Sequence, residues 1–399
     1  MNYIQKQRVT GKQSKIQSSG AKYSGKKSIS KPSHNADSFI KKAQPVNETQ
    51  YISSRFIKDL PVDESIISNL SRKGYISPTE IQDRSIEPIL KGHDLIGLAQ
   101  TGTGKTGAFL IPLAHNLLGK NPSFQILVIS PTRELAVQIE QEFRSITNGL
   151  GLYSECLIGG TDVRKDIMKL RKSCHVVIGT PGRISDMVRQ RAIILNHFSI
   201  LVLDEFDRLL DMGFSRDILS IVDEMHNRKQ TILFSATEDK SQKAMIGKLL
   251  HAPVEVRLRN GNISGDNIDQ EILRVPDGEN KMDILLNLIK DPSFEKVLVF
   301  ADTKRGVSKI CKNLRRAGIK ADEIHGNKSQ SYRMNALEAF KNKRIQVLVA
   351  TDVAARGLDI VNVSHVINYQ QPQNMDSYIH RIGRTGRAGK SGKAYTFVN

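Results

Sequence analysis

The sequence predicts two α/β domains in tandem, each a mainly parallel sheet flanked by helices, preceded by a disordered basic tail. Three observations carry this reading. From about Ile57 onward, short apolar runs of strand length alternate with longer stretches of helical period, the pattern of βαβ units. That alternation is interrupted once, by the Gly- and Asn-rich stretch near Leu258 to Asp269, and then resumes. Residues 1–50 hold ten Lys/Arg against Asp37 and Glu48, 10 − 2 = +8 of the chain's net +18, with few large apolar side chains. Such a segment cannot offset its ordering entropy by burial.

The expected order is a tail over 1–54, a first domain over 55–258, a linker over 259–268 and a second domain over 269–399. In the first domain Asp94 to Ala99, Gln125 to Ser130, His175 to Thr180, Ser199 to Asp204 and Gln230 to Ser235 read as strands, each followed by helical sequence. In the second, Lys296 to Ala301, Ile345 to Thr351 and His365 to Tyr369 read as strands, with helices about Lys304 to Ala317 and Ser331 to Lys341. A last strand, Ala394 to Val398, has little sequence after it to cover it.

Composition excludes several classes. Cys156, Cys174 and Cys311 lie far apart without a CxxC pair, which argues against a disulfide framework or a structural zinc site. Apolar runs such as Ile126 to Ile129 fall far short of the ~20 residues that span a bilayer. No apolar stretch follows Lys6 and Arg8 as a secretory signal requires. The expectation is a soluble cytoplasmic protein with no membrane partner. The tail reads either as a nucleic-acid tether acting through counterion release or as a solubilising extension.

The strongest local signal is Ala99-Gln100-Thr101-Gly102-Thr103-Gly104-Lys105-Thr106, between a strand and a helix. Its glycines let backbone N–H groups face phosphate oxygens, and the helix N-terminus adds its dipole. Lys105 is expected on the β and γ phosphates, with the Thr106 hydroxyl on Mg²⁺. Ala99 stands where the general phosphate-loop pattern has glycine. Ile200 to Asp207 is an apolar strand ending in Asp204, Glu205 and Asp207, where parallel sheets bind ligands. Asp204 is expected to hold Mg²⁺ through water, and Glu205 to orient and deprotonate the attacking water.

Taken in order, these motifs resemble the DEAD-box RNA helicases of superfamily 2, over about Arg55 to Val398 and most like bacterial members. The name motif appears as Asp204-Glu205-Phe206-Asp207, with Phe206 in place of the family's alanine, and Ser235-Ala236-Thr237 follows it. The resemblance implies RecA-like domains, ATP and Mg²⁺ as ligands, and RNA as partner. Gly74 to Gln82 resembles the Q motif, in which Gln82 reads the adenine edge and favours ATP over GTP. Ile57 takes the place of the family's adenine-stacking aromatic with Phe56 adjacent, and either is a candidate to pack on the base. Tyr378 to Arg387 resembles motif VI, implying arginine fingers Arg384 and Arg387. Thr351 to Asp359 resembles motif V, with Asp359 on a ribose hydroxyl. Coupling between domains is expected of Asp207, Ser235, Thr237, Asp352, His380 and Arg381. The implied RNA contacts are Thr132, Arg133, Gly160, Thr180, Pro181, Gly182, Arg183, Gln330, Arg333 and Thr351. They are phosphate and sugar readers, so binding is expected to tolerate sequence and to favour RNA through its 2′-hydroxyls.

The resulting expectation is a monomeric ATP-dependent RNA helicase that separates short duplexes when RNA and ATP close the domains, with partners in ribosome assembly or RNA decay. The same motifs also serve an ATP-gated RNA clamp that anneals or remodels; a DNA translocase is the further alternative.

Overall fold

The computed structural model describes residues 51, 53–100, 102–121, 123–172, 174–238, 240–258, 268–355, 360, 363–386 and 392–398. Residues 1–50 and 52 of the expected tail and residues 259–267 of the expected linker lie outside the described residues, as do Thr101, Asp359 and Arg387.

The first lobe runs α1 (Glu64–Arg72), α2 (Glu80–Leu90), β1 (Leu95–Leu98), α3 (Lys105–Leu117), β2 (Ile126–Ile129), α4 (Arg133–Ile146), β3 (Ser154–Leu157) and α5 (Val163–Leu170). It continues with β4 (Val176–Gly179), α6 (Pro181–Arg189), β5 (Ile200–Leu203), α7 (Phe206–Asp211), α8 (Ser215–Asp223), β6 (Gln230–Ser235), α9 (Lys240–Leu249) and β7 (Val254–Arg257). These strands form one seven-stranded sheet in the order β3-β4-β2-β5-β6-β1-β7, and its pairings are parallel.

The second lobe runs β8 (Ile268–Arg274), α10 (Lys281–Ile289), β9 (Val297–Phe300), α11 (Lys304–Arg316), β10 (Ala321–Ile324) and α12 (Gln330–Lys341). Then come β11 (Val347–Ala350), α13 (Asp352–Ala355), β12 (His365–Asn368), α14 (Met375–Ile382) and β13 (Gly392–Val398). Its six strands, also parallel, are ordered β10-β11-β9-β12-β13-β8.

Each sheet is buried on both faces, which explains why its central strands read as unbroken apolar runs. Ile126 and Val128 of β2 join one core with α3 and α4, whereas Leu127 and Ile129 join the opposite core with α6, α7 and α8. In the second lobe Val297 and Val299 pack with α10 and α11, and Leu298 and Phe300 with α12 and α14.

Two expectations change. Ile268, assigned to the linker, opens β8. The last strand is not left uncovered: β13 pairs with β12 on one side and with β8 on the other, in register from Gly392↔Ile268 to Val398↔Arg274. Among the described residues no helix is long and apolar enough to cross a membrane.

Candidate nucleotide and nucleic-acid site

Parallel strands deliver their carboxyl ends to one edge, where such sheets bind ligands. In the first lobe β1 leads into the phosphate loop, β2 into Thr132, β4 into Thr180, β5 into Asp204, and β6 ends on Ser235.

Within the loop, Gly104 has φ 96°, a left-handed conformation open to glycine. A Cβ there would also stand 2.7 Å from both Gln82 Nε2 and Thr79 Oγ1. Lys105 opens α3 and is buried, and its ammonium donates to the carbonyl of Ala99 at 3.0 Å. A buried ammonium on a neutral carbonyl keeps donors for an anion, which fits a bound phosphate. Thr103 Oγ1 donates to the Gln100 carbonyl at 2.8 Å and closes the turn.

Asp204, Glu205 and Asp207 are all buried. Burial pushes the Asp204 carboxyl up to about 6, against the opposing pull of the Lys105 ammonium. Glu205 sits at φ 50°, ψ 53°, a left-handed backbone rare outside glycine that redirects the chain into α7. Its carboxylate pairs with the buried Arg208 guanidinium at 2.8 Å, a partner one helical turn on that the motif reading did not single out. Asp207 is brought to the Ser235-Ala236-Thr237 turn: Ala236 N and Thr237 Oγ1 donate to its carboxylate at 3.2 and 3.3 Å. Asp207 N donates in turn to Ser235 Oγ at 3.3 Å. Phe206 points away from these carboxylates into the core with Leu209 and Ile218, so the larger side chain leaves them unobstructed.

Gln82 is buried at the start of α2. Its Oε1 accepts from Thr79 N at 3.0 Å and its Nε2 donates to the Gly104 carbonyl at 3.1 Å, tying the helix to the phosphate loop. Each end of the amide retains one bonding position. Of the two candidate stacking residues, Ile57 is 1% exposed and belongs to the core, while Phe56 is 52% exposed. Phe56 is the one with a ring face to offer.

A groove of about 510 Å³ opens between the lobes, lined by Thr132, Arg133, Thr180, Gly182 and Arg183 on one side and by Gly326 and Arg333 on the other. The Gly159-Gly160 pair makes room for Arg133, since a Cβ on Gly160 would stand 2.5 Å from its Nη1. Arg183, expected as a phosphate reader, is held by partners of its own lobe. Its guanidinium is buried, paired with Asp166 at 3.2 Å and donating to the Ile158 carbonyl at 3.0 Å and to Thr161, so it shapes the groove wall from within. Thr132 caps α4 by accepting from Leu135 N at 3.3 Å.

Gln330 and Arg333 reach across to the first lobe. Gln330 Nε2 lies 2.8 Å and Arg333 Nη2 3.0 Å from the two carboxylate oxygens of Glu134, which is buried. Gln330 Oε1 and Arg333 Nε are buried with no hydrogen-bond partner among the described residues.

In the second lobe, His380, Arg381 and Arg384 line a small pocket with Asp352 and Phe300. Arg381 is a structural hub. It forms a two-pronged pair with Asp352 at 2.6 Å, bonds the Gln370 carbonyl at 2.8 Å, and lies over the Phe300 ring at 5.2 Å. Asp352 is thereby tied to Arg381 of α14. Arg384 and Thr351 are buried beside these elements.

The chain matches the DEAD/DEAH box helicase domain over residues 79–245 and the helicase conserved C-terminal domain over 280–389. It is 42% identical over 340 residues to the ATP-dependent RNA helicase CshA of Limosilactobacillus reuteri, covering 85% of this chain and 68% of that protein. With the Listeria monocytogenes CshA it shares 44% over 337 residues, 84% of this chain and 65% of that one. It thus spans about two thirds of these relatives' length. Among solved structures, S. cerevisiae Dbp5 bound to RNA and ADP BeF3 superposes with a TM-score of 0.77 at 27% identity, over 87% of this chain and 90% of that one. A DEAD box protein from Methanococcus jannaschii gives 0.51 at 36% identity, over 87% and 94%. Ordered motifs, two parallel sheets and these likenesses agree: the chain belongs to the DEAD-box ATP-dependent RNA helicase family.

Proposed function

We propose that the chain hydrolyses ATP under RNA control, and that ATP and RNA together hold the two lobes closed while a sequence-tolerant grip bends one strand away from its partner. The observation that carries this is Glu134, a first-lobe groove residue on which two second-lobe side chains converge at 2.8 and 3.0 Å. The higher TM-score with the relative bound to RNA and ADP BeF3, despite lower identity, supports a lobe arrangement like that of the ligand-bound relative.

In this reading Lys105 turns from Ala99 onto the β and γ phosphates, and Phe56 and Gln82 take the base. Glu205, held by Arg208, orients the attacking water and accepts its proton. Arg384 and Arg387 complete the γ-phosphate site from the second lobe, Asp359 takes a ribose hydroxyl, and Thr101 joins the loop around the phosphates. The Asp207 bonds to the Ser235 turn relay the state of the carboxylates toward the groove. Thr106 and Asp204 suit Mg²⁺: this ion is commonly held by one or two protein oxygens plus substrate phosphates. Bound there, it neutralises charge on the phosphate oxygens.

At the groove, Arg133, Thr132, Thr180 and the Pro181-Gly182 start of α6 meet the strand from the first lobe, and Thr351 with the open atoms of Gln330 and Arg333 meets it from the second. An acceptor such as Gln330 Oε1 suits a 2′-hydroxyl and a donor such as Arg333 Nε suits a phosphate, which favours RNA.

The test is ATP turnover with and without single-stranded RNA, joined to displacement of a short RNA duplex. Stimulation and displacement by the wild type, both lost in Lys105→Ala and Glu205→Gln, are expected. Equal turnover with and without RNA, or hydrolysis retained in both variants, contradicts the proposal.

A further inference from the structure

Helix α11 carries Lys304, Arg305, Lys309, Lys312, Arg315 and Arg316 and no acidic residue. Its apolar stripe, Val307, Ile310, Cys311 and Leu314, is buried against the second lobe's core. On the opposite side Arg305, Lys309, Lys312 and Arg316 fall at intervals of four, three and four, which places them in one row on a helix. All four are exposed, and none pairs with a described carboxylate, whereas neighbouring Arg315 pairs with Asp322 at 2.7 Å.

That row works against the helix that bears it. Like charges three and four residues apart repel by about 0.2–0.5 kcal/mol per pair. Lys304 and Arg305 also sit at the N-terminal end, where the macrodipole disfavours cations. Local rules broken together on one face point to a ligand that compensates them. The helix that carries the row begins beside the groove. Lys304 Nζ donates to Asn327 Oδ1 at 2.9 Å, and Asn327 adjoins Gly326, a groove-lining residue. From there it extends roughly 16 Å at 1.5 Å per residue.

We propose that Arg305, Lys309, Lys312 and Arg316 form a second RNA contact, an electrostatic rail that holds the phosphates of the strand as it leaves the groove on the second lobe. The inference rests on the reading that RNA occupies the groove. The rail reads charge alone, so it adds length-dependent affinity without sequence preference.

The experiment compares the wild type with R305Q/K309Q/K312Q/R316Q on oligouridylates of about six nucleotides, short enough to stay in the groove, and about twenty, long enough to leave it. For the longer strand, the slope of log affinity against log salt should flatten by about 2 to 3, at ~0.7 for each phosphate that the variant no longer neutralises. Affinity for the shorter strand should stay within twofold. The variant's thermal midpoint should equal or exceed the wild type's, because repulsion has been removed, and R305K/K309R/K312R/R316K should restore the slope. An unchanged slope on the longer strand overturns the rail, as does an equal loss on both strands, and a rail that instead takes an acidic protein gives the first of these. Failure of the wild type to bind either strand overturns the groove reading itself, and the rail with it.

Discussion

Gln330 donates a hydrogen bond to Glu134 at 2.8 Å across 196 positions of sequence, from the first residue of α12 to the second residue of α4. Arg333, one turn along α12, takes the other oxygen of the same carboxylate at 3.0 Å. Burial pushes the Arg333 guanidinium down from its ordinary value, and the Glu134 charge opposes that shift.

Glu134→Gln leaves the Arg333 charge buried without its counter-ion. Breaking such a pair from one side costs about 3–5 kcal/mol. The RNA concentration giving half-maximal stimulation of ATP turnover should therefore rise by tenfold or more. Gln330→Ala, which removes one bond to a charged acceptor, should cost less, about 1.5–3 kcal/mol. Titrating RNA against turnover measures both, and indistinguishable curves would remove Glu134 from the coupling.

Phe56 and Ile57 should separate cleanly. Phe56→Ala should raise KM for ATP with little change in melting, because the ring is half exposed. Ile57→Ala should cost about 2–5 kcal/mol of stability, because that side chain is fully buried. Nucleotide titrations and thermal melts of the two variants check this, and an unchanged KM for Phe56→Ala would return the stacking role to another side chain.

Phe206→Ala installs the family's residue in the name motif. The side chain is wholly buried, so the variant should lose about 3–5 kcal/mol of stability. The Glu205 and Asp207 contacts do not depend on that ring. Turnover measured well below the melting temperature should then be retained, and a loss of activity without a loss of stability would show that the ring shapes the carboxylates.

His365 supplies a pH dependence. Its ring stacks on Phe294 at 3.7 Å between centroids, and burial, with the nearby Lys393 charge, lowers its pKa to about 4 despite Asp291. A folded pKa below the unfolded one means that the unfolded chain takes up the proton first. The contribution to stability is intact above 6.5 and drains away as pH falls toward about 4. His365→Phe keeps the stack and removes the proton site. Its melting temperature relative to wild type should improve progressively over that window, and a constant difference would contradict the assignment.

Much of this was legible in the sequence, and the omissions share a cause. The central strands, buried on both faces, stand out as apolar runs. The strands that escaped notice, β3, β7, β8 and β10, are the edge strands of the two sheets. They carry charges, as in Val-Glu-Val-Arg of β7 and Ala-Asp-Glu-Ile of β10, in the way edge strands resist pairing with other chains. At the site, motif order singled out Lys105, Glu205, Asp207 and Ser235. It gave no sign that Arg183 would turn inward to Asp166, that Arg208 would hold Glu205, or that Gln330 and Arg333 would converge on Glu134. Those pairings depend on which helix faces which, information that spacing along one chain does not carry.

The most direct test places one fluorescent label on each lobe and follows energy transfer with ATP, RNA, both and neither. A high-transfer state populated with both ligands, and lost in Glu134→Gln, is the predicted result. Transfer that stays the same under all four conditions would contradict the account.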